Sequence, residues 1–328
     1  MLDDEPVAGR CRGRWGRFGH WFGRASGVTL AAVFLQPVGH GDIVRDGPPQ
    51  RIAADGVCHP DGRVGKVMTS STAQPTVKLP GDVRMPLLGF GTWQAHGESA
   101  HRAVSAALDA GYRLIDTATA YGNEDLVGRA IAESAVPRED IFITTKLPAE
   151  RVGREQRTID ESLRMLGVDQ LDLWLIHWPP TRGDLVDLWR RLIEIRDAGQ
   201  TRTIGVSNYS LAQIDELIAE TGEAPAVNQI KWGPRLYDKA EVQGHHERGV
   251  VLEGYSPFKT TRLGDKTLTR IAETHGVSPA QVVVRWHIQH GVVVIPKSVT
   301  PARIRSNGDV FGFELTDEEM AAIDALGH

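Results

Sequence analysis

The stretch GYRLIDTATAYGNE, Gly111 to Glu124, decides how the chain is interpreted. An apolar run from Tyr112 to Ile115 is typical of a buried strand, and it leads directly into Asp116. Small and polar residues then lead to Tyr121. The sequence therefore predicts an acid and a tyrosine on one loop at the carboxyl end of a strand.

The helix that follows this loop has a clear start signal. Asn123 is a residue type favoured at the N-cap, and Glu124 and Asp125 occupy the first turn, where the helix dipole favours acids. In an isolated strand, loop and helix, the acid would cap a turn and the tyrosine would pack. A catalytic interpretation therefore depends on partners elsewhere in the chain.

The composition is that of an ordinary globular protein. The 328 residues are 41% hydrophobic and 24% charged, with a net charge of −5, which allows one large domain or two small ones. A nucleic-acid partner would favour a strongly basic domain, so none is expected. No run of about 18 apolar residues occurs, so no membrane span is expected. Cys11 and Cys58 both precede the regularly patterned region, which argues against a disulfide framework or a cysteine metal site.

Residues 1–67 differ from the rest of the chain. Arginine and glycine are dense from Arg10 to Arg24, and a short apolar run follows from Val28 to Leu35. A signal peptide has this order, but the apolar core is short and no Ala-x-Ala site follows it. A functional tail would lack any recognisable motif. We interpret these residues as a disordered or mis-assigned extension that precedes a natural start at Met68.

From residue 68 onward, strands and helices alternate. Two short extended segments flank Pro80-Gly81-Asp82, which predicts a small hairpin. The later strands are continuous apolar runs, as expected when both faces of a parallel sheet are buried. They are predicted at Leu87–Gly89, Arg113–Ile115, Ile141–Lys146, Leu171–His177, Thr203–Ser207, Ala226–Ile230, Val250–Tyr255 and Val292–Pro296. Eight strand–helix units in about 260 residues predict an α/β fold, a (β/α)8 TIM barrel over residues 68–328 with an N-terminal β-hairpin.

A doubly wound sheet is the alternative fold. Gly89-Phe90-Gly91 begins like a dinucleotide-binding fingerprint, but Gln94 stands where a further glycine is required. The barrel is therefore preferred.

The predicted strands end in polar residues. In barrels of this kind the active site lies at the carboxyl ends of the strands. A full ring of polar ends is hard to explain by structure alone, because buried polar groups cost free energy unless they are partnered. The ring comprises Asp116, Lys146, His177, Ser207, Asn208, Gln229, Tyr255, Ser256, Lys297 and Ser298.

Around these strand ends, the sequence resembles the aldo-keto reductase family. The similarity covers Val77 to Leu326. The matching motifs are GYRLIDTATAYGNE, TTKL (144–147), LIHWP (175–179), GVSN (205–208), NQI (228–230), GYSPF (254–258) and IPKS (295–298). The resemblance implies a (β/α)8 barrel, NADPH as hydride donor and the reduction of aldehydes and ketones. It also implies a catalytic tetrad, which Asp116, Tyr121, Lys146 and His177 match.

The chemistry of these residue types agrees with those roles. Carbonyl reduction needs a hydride on carbon and a proton on oxygen. A free tyrosine, with a pKa of about 10, is a weak acid near neutrality, and a nearby ammonium lowers that pKa. We therefore expect Tyr121 to be the general acid, with Lys146 lowering its pKa and Asp116 holding Lys146. His177 can hydrogen-bond the carbonyl oxygen and orient it.

The resemblance also implies how the nicotinamide is held. Ser207, Asn208 and Gln229 match the groups that bind its carboxamide. Tyr255, which Ser256 follows, matches the aromatic residue on which the ring stacks.

The adenosine end of the cofactor is matched by residues near the eighth strand. Lys297, Ser298 and Arg303 match the family's clamp on the 2′-phosphate, and cations near a helix start suit a phosphate group. These residues predict NADPH rather than NADH. Asn307 matches the adenine contact, although Ser306 replaces the glutamate common at the preceding position.

Aromatic residues at the strand ends are candidates for the substrate pocket. Trp93 and Trp178 can hold a carbon skeleton beside His177, and Phe90 and Tyr209 are further candidates. The loops after the fourth and seventh strands of the barrel are short. In this family longer loops build a deep, selective pocket. We therefore expect a shallow site for small or polar carbonyls, similar to the microbial branch that includes diketogluconate reductases.

Four histidines could suggest a metal site. His245 and His246 are adjacent, so on a helix they point in different directions, and His287 and His290 lack nearby acids or cysteines. We interpret them as residues on solvated helix faces, and no metal is expected.

The same barrel also carries other functions. A hydrolase or isomerase would need paired carboxylates or metal ligands at the strand ends. An NADP(H)-binding redox-sensing or regulatory subunit without significant turnover stays open, because such a relative can retain the tetrad. We also expect a small carbonyl substrate and a cytoplasmic location. A monomer is expected because the sequence has no apolar extension or heptad repeat that would favour pairing.

Overall fold

The computed structural model describes residues 74–180 and 183–327. Predictions for residues 1–67 lie outside the described residues. In the described part the chain forms ten strands, whose alternation with helices follows the predicted order. They are β1 (Thr76–Lys78), β2 (Arg84–Pro86), β3 (Gly89–Gly91), β4 (Leu114–Asp116), β5 (Phe142–Leu147), β6 (Leu171–Ile176), β7 (Thr201–Ser207), β8 (Val227–Lys231), β9 (Val251–Tyr255) and β10 (Val293–Ile295).

Helices follow the strands of the main sheet. They are α1 (Glu98–Asp109), α2 (Glu124–Ala132), α3 (Glu155–Leu166), α4 (Leu185–Asp197), α5 (Leu211–Thr221), α6 (Lys239–Glu247), α7 (Lys266–His275), α8 (Pro279–Gln289), α9 (Pro301–Gly308) and α10 (Asp317–Asp324). Within the described residues, no helix is long and apolar enough to cross a membrane.

Strands β3 to β10 form one parallel sheet in which each strand pairs with its neighbours in sequence. The first and last strands meet through a parallel bridge between Leu88 and Val294, and the Val294 amide donates to the Leu87 carbonyl at 2.9 Å. The nearly closed ring confirms the predicted (β/α)8 barrel. Strands β1 and β2 form the predicted antiparallel hairpin.

Strand burial explains why the sequence pattern was continuous rather than alternating. All six residues of β5 and all six of β6 are buried, because one set of side chains fills the barrel and the other packs on helices. The first strand begins two residues later than predicted. Leu87 instead donates its amide to Pro75 beside the hairpin, and Leu88 makes only the single bridge.

Both predicted helix starts have the expected N-cap residue, but only one of these residues makes a capping hydrogen bond. The Thr316 hydroxyl accepts from the Glu319 amide in a capping box at α10, as predicted. Asn123 occupies the N-cap position of α2, but its side chain makes no capping bond. It donates to the carbonyls of Thr92 and Ala95 instead. The buried amide therefore joins the loop after β3 to the loop after β4.

Candidate active site

A cavity of about 640 Å³ opens at the carboxyl ends of the barrel strands. This is the end at which barrels of this type carry their active sites. The predicted site residues that line it are Trp93, Asp116, Tyr121, His177, Trp178, Ser207, Asn208, Gln229, Tyr255, Ser256 and Lys297. These residues come from seven of the eight strand ends, so the tertiary structure gathers most of the ring predicted from sequence.

The centre of the site is a buried ion pair. The Nζ atom of Lys146, on β5, donates to Oδ2 of Asp116 at 2.5 Å and to the carbonyl of Thr117 at 2.7 Å. The Lys146 side chain is fully buried, and that of Asp116 is 3% exposed. Burial alone would lower the pKa of Lys146, but Asp116 and Tyr121 reverse that effect and raise it. Lys146 is therefore held as a cation below the cavity floor.

Tyr121 lies on a single turn of 3₁₀ helix, Thr119–Tyr121, between β4 and α2. The Thr119 hydroxyl donates to the Lys146 carbonyl at 3.0 Å, which ties this turn to β5. Gly122 ends the turn with φ 63°, a left-handed conformation that glycine adopts without strain. Nζ of Lys146 lies 5.3 Å from the centroid of the tyrosine ring.

The pKa of Tyr121 moves in the direction opposite to our expectation. Burial raises it, Lys146 lowers it, and Asp116 raises it again, so the net pKa is above its ordinary value. The expected influence of the ammonium is present, but desolvation of the phenolate outweighs it in the free protein. Tyr121 is consequently protonated at neutral pH.

His177 follows β6 and faces the tyrosine. The two rings are 5.7 Å apart between centroids, at an interplanar angle of 73°. Burial, and then the positive charge of Lys146, lower the pKa of His177 to about 3. The imidazole is therefore neutral at physiological pH, with one N–H available as a donor.

A hydrogen-bonded network lines the neighbouring wall. The Tyr255 hydroxyl donates to Oδ1 of Asn208 at 2.9 Å, and Nδ2 of Asn208 donates to Oγ of Ser207 at 2.9 Å. Oγ of Ser207 in turn donates to the carbonyl of Gln229 at 2.8 Å. Nε2 of Gln229 donates to Oδ2 of Asp116 at 2.8 Å, which joins this wall to the buried ion pair.

Backbone strain is concentrated at the cavity. Gln94, Asn208 and Ser256 all have positive φ, at 59°, 63° and 57°, and all three line the cavity. Among the described residues, Asp82 in the hairpin turn is the one other non-glycine residue with positive φ. Such conformations cost about 1 kcal/mol or more each and cluster at functional sites.

Of the predicted phosphate and adenine contacts, Lys297 lines the cavity, whereas Ser298, Arg303 and Asn307 do not. Nζ of Lys297 donates to the Gln94 carbonyl at 2.9 Å. Burial, and then nearby Lys259, lower the pKa of Lys297. Arg303 is exposed on α9, and Asn307 on the same helix is buried. Ser298, directly before α9, accepts the amide of Thr300 at 3.1 Å.

The two predicted pocket tryptophans are exposed at the cavity mouth. Trp93 is 44% exposed and Trp178 is 50% exposed, and both line the cavity. Nζ of Lys259 lies 4.2 Å from the centroid of the Trp93 ring, a cation–π contact. An apolar rim of this kind suits the carbon skeleton of a small molecule.

The same chain matches known proteins over this region. The model of the Aldo/keto reductase family matches residues 87–267 and 238–328. The chain belongs to the aldo/keto reductase family.

Individual members of the aldo/keto reductase family support this placement. An aldo-keto reductase of Mycolicibacterium vanbaalenii is 48% identical over 79% of this chain and 94% of its own length. Methylglyoxal reductase DkgA of Yersinia pestis is 43% identical, over 78% of this chain and 94% of its own. A crystal structure of a Bombyx mori aldo-keto reductase in complex with NADP is 34% identical, with a TM-score of 0.73 over 78% of this chain and 94% of the other.

Two of the predicted pocket residues lie in the core of this family member instead. Phe90 is 1% exposed and packs edge-on against Tyr112 at 5.8 Å. Tyr209 is 2% exposed, and its hydroxyl has no hydrogen-bond partner. Both were wrong as pocket residues, because an aromatic residue beside a strand end can point towards the helices as easily as towards the cavity.

The interpretation of the histidines as solvated was also wrong for two of them. His245 is 1% exposed, and its Nε2 lies 2.8 Å from Nδ2 of Asn228. His287 is fully buried on α8, and burial lowers its pKa to about 4. The described residues contain no cluster of three His, Cys, Asp or Glu side chains that could hold a metal ion.

Sequence reasoning missed several residues at the site. Lys231, Lys259, Gln94 and Gly91 line the cavity, and their strand-end positions could have suggested them. Glu253 was also missed. It is a fully buried acid in an otherwise apolar strand, and an isolated charge in such a run is a detectable signal.

Proposed function

We propose that the protein reduces small aldehydes and ketones to alcohols with NADPH as hydride donor. The observation that carries this proposal is the position of Tyr121 between the buried ammonium of Lys146 and the neutral imidazole of His177 at the cavity. The cavity wall thus combines a proton and a neutral donor, and the cation buried behind it can stabilise the resulting phenolate.

The residues that would bind the cofactor fit a nicotinamide nucleotide. A hydroxyl and two amides, from Ser207, Asn208 and Gln229, are already fixed in one network beside the ring of Tyr255. Such a set suits a carboxamide on a flat ring. When bound, the reduced cofactor supplies the hydride to the carbonyl carbon.

The chain supplies the proton and orients the substrate. The hydroxyl of Tyr121 donates its proton to the carbonyl oxygen as negative charge develops there. The step stays favourable despite the raised pKa of Tyr121, because an alkoxide is a much stronger base than a phenolate, and Lys146 stabilises the phenolate that remains. The N–H of neutral His177 holds the carbonyl oxygen towards the tyrosine.

Preference for NADPH over NADH rests on the cations near α9. Lys297 lines the cavity and Arg303 is exposed on the first turns of that helix, where a phosphate is favoured. The Bombyx mori relative was crystallised with NADP, which supports the same cofactor here.

The substrate class follows from the shape of the cavity mouth. Half-exposed Trp93 and Trp178 border an open site, which suits small carbonyl compounds. The name of the Yersinia pestis relative, a methylglyoxal reductase, agrees with a small substrate. The cytoplasmic location and the monomeric state stay predictions. Light scattering on the purified chain tests the monomeric state.

The test measures NADPH oxidation by the full chain with a panel of small aldehydes, ketones, keto esters and keto sugars. We expect carbonyl-dependent NADPH loss. Arg303→Ala should raise KM for NADPH about tenfold or more and leave KM for NADH unchanged, because one charge-assisted phosphate contact is lost. Arg305→Ala, an exposed arginine on the same helix, is the matched control.

The possible negative results are distinct. Tight NADPH binding without turnover on the whole panel would favour the redox-sensing subunit. Equal KM values for NADPH and NADH in the wild type would refute the cofactor preference.

A further inference from the structure

Glu253 lies inside the barrel directly below the wall of the cavity. It precedes Tyr255 by two residues on β9, so both side chains lie on the same face of the strand. Its register partners are Gln229 on β8 and Val293 on β10. The side chain is fully buried.

The charged groups that act on Glu253 are those of the catalytic centre. Asp116 on β4 and Lys146 on β5 both influence it electrostatically. Asp116 already accepts from Lys146 at 2.5 Å and from the Gln229 amide at 2.8 Å. On the opposite face of β9, the ring of His287 packs close to Gly254.

Hydrogen bonding gives a charged Glu253 only weak support. The amide of Gln229 is close enough to favour the carboxylate somewhat, yet neither oxygen makes a hydrogen bond of ordinary geometry. A buried carboxylate without donors is strongly unfavourable. One ammonium, that of Lys146, cannot neutralise both carboxyl groups, and Asp116 is the one in contact with it.

The geometry and the electrostatics therefore agree. Burial, and then the charge of Asp116, raise the pKa of Glu253 to about 8, against the smaller opposing effects of Gln229 and Lys146. Two neighbouring carboxyl groups of unequal environment behave in this way, with one ionised and the other neutral.

We propose that Glu253 is a positioning residue that acts, through its own protonation state, on the acid–base centre of Asp116, Tyr121 and Lys146. Glu253 is neutral during carbonyl reduction, and it inhibits the reaction once it is ionised. As a neutral acid, it leaves the positive charge of Lys146 shared between Asp116 and Tyr121 alone. Once ionised, it adds a negative charge beside that centre, which disfavours the phenolate of Tyr121 and makes the tyrosine a weaker acid. This role rests on the proposed carbonyl reduction.

The kinetic test compares the full chain with Glu253→Gln, which copies the neutral form. We follow kcat and kcat/KM for carbonyl reduction between about pH 6 and about pH 10 at saturating NADPH. In the wild type, kcat should fall about tenfold or more through a transition near pH 8. The variant should keep the wild-type kcat at neutral pH within about threefold and lose this transition.

The pH dependence of the free energy of unfolding is a second test, and it does not require the protein to turn over a substrate. Because the native pKa of Glu253 is raised above the unfolded value of 4.5, its proton stabilises the native state fully below that value. This stabilisation is lost as the pH rises through about 8. Between these two pKa values, the unfolding free energy of the wild type relative to Glu253→Gln should therefore decline as the pH rises. The slope should correspond to about one proton released on unfolding.

Controls separate this role from simple packing. Glu155→Gln changes another buried acid, which pairs with Arg191 and does not line the cavity, and should keep the transition near pH 8. If Glu253→Gln is too unstable, Glu253→Met must lose the transition as well.

The outcomes are decisive in each arm. A transition with the same midpoint in Glu253→Gln, or a flat stability difference above about pH 5.5, would overturn the proposal. Absence of turnover in the wild type would refute the reductase function. The pH dependence of the unfolding free energy would then still test the protonation of Glu253.

Discussion

Two buried acids at opposite ends of the barrel are partnered in different ways. Asp172, near the amino end of β6, accepts from the amide of Ile143 and from two arginines, each at 2.9 Å. Those arginines, Arg138 and Arg202, stay 33% and 43% exposed. Asp116, at the carboxyl end of β4, is paired with Lys146, whose side chain is fully buried.

The difference separates an ion pair that stabilises the fold from one that our proposal places at the reacting centre. The arginines that balance Asp172 stay partly in water, so this ion pair needs less desolvation than the pair of Asp116 and Lys146. At the other end, desolvation is severe, and it leaves groups whose pKa values lie far from their ordinary range, among them His177 and Glu253. Such shifts are typical of functional sites.

The largest expected effect is the loss of the proton donor. Tyr121→Phe should lower kcat about a thousandfold, since general acid catalysis contributes about 10²–10⁴, and should leave the Kd for NADPH within about twofold. Steady-state kinetics and fluorescence titration measure the two quantities. Tyr209→Phe removes a buried hydroxyl that has no partner and should change neither. Retained kcat in Tyr121→Phe would refute the assignment of the acid.

Replacing each of the two acids by asparagine tests the difference between the two ion pairs directly. Asp116→Asn should lower kcat about 10- to 100-fold, because Lys146 loses its counter-charge and its hold on position. Asp172→Asn should leave kcat unchanged and lower the free energy of unfolding by about 2 kcal/mol. Calorimetry should show the second effect as a fall in Tm of roughly 4–8 °C. Equal effects of both variants on kcat would contradict the view that only the pair of Asp116 and Lys146 contributes to turnover.

A buried histidine away from the ion pairs shows what burial does without function. Burial lowers the pKa of His287 to about 4, against 6.5 unfolded. The neutral ring therefore stabilises the fold fully above pH 6.5, and this stability is lost as the pH falls towards 4.

The corresponding prediction concerns the acid side of the stability profile. Denaturant unfolding should show wild-type stability falling by up to about 3 kcal/mol through this window because of His287. His287→Gln should flatten the fall, whereas His246→Gln, on the exposed side of α6, should not. A profile that is identical in His287→Gln would show that the ring is solvated before the protein unfolds.

The smallest expected effect is at the rim of the cavity. Lys259→Ala removes the cation that lies 4.2 Å from the Trp93 ring, and an exposed contact of this kind is worth about 0.5–1 kcal/mol. We expect KM for the carbonyl substrate to rise about two- to threefold without a change in kcat. Lys239→Ala, an exposed lysine at the start of α6, is the control. A large fall in kcat would place Lys259 in the reacting centre.

Local signals were enough to predict most of the barrel. Continuous apolar strands, polar strand ends and caps such as Thr316 all depend on neighbours in sequence. The first strand was placed two residues early because Leu87 joins the hairpin, a contact that no local pattern reports. Asn123 similarly has the residue type of a cap, and only the approach of the loop after β3 gives its amide other partners.

The order of residues along the chain therefore predicted the fold and most of the residues that line the candidate site. The charge that each member carries was decided by the folded molecule. Tyr121, His177 and Glu253 owe their shifted pKa values first to burial, which is produced by strands and helices far apart in sequence. The physical reason is that desolvation depends on everything surrounding a group in space, whereas a motif specifies only the residues beside it in sequence.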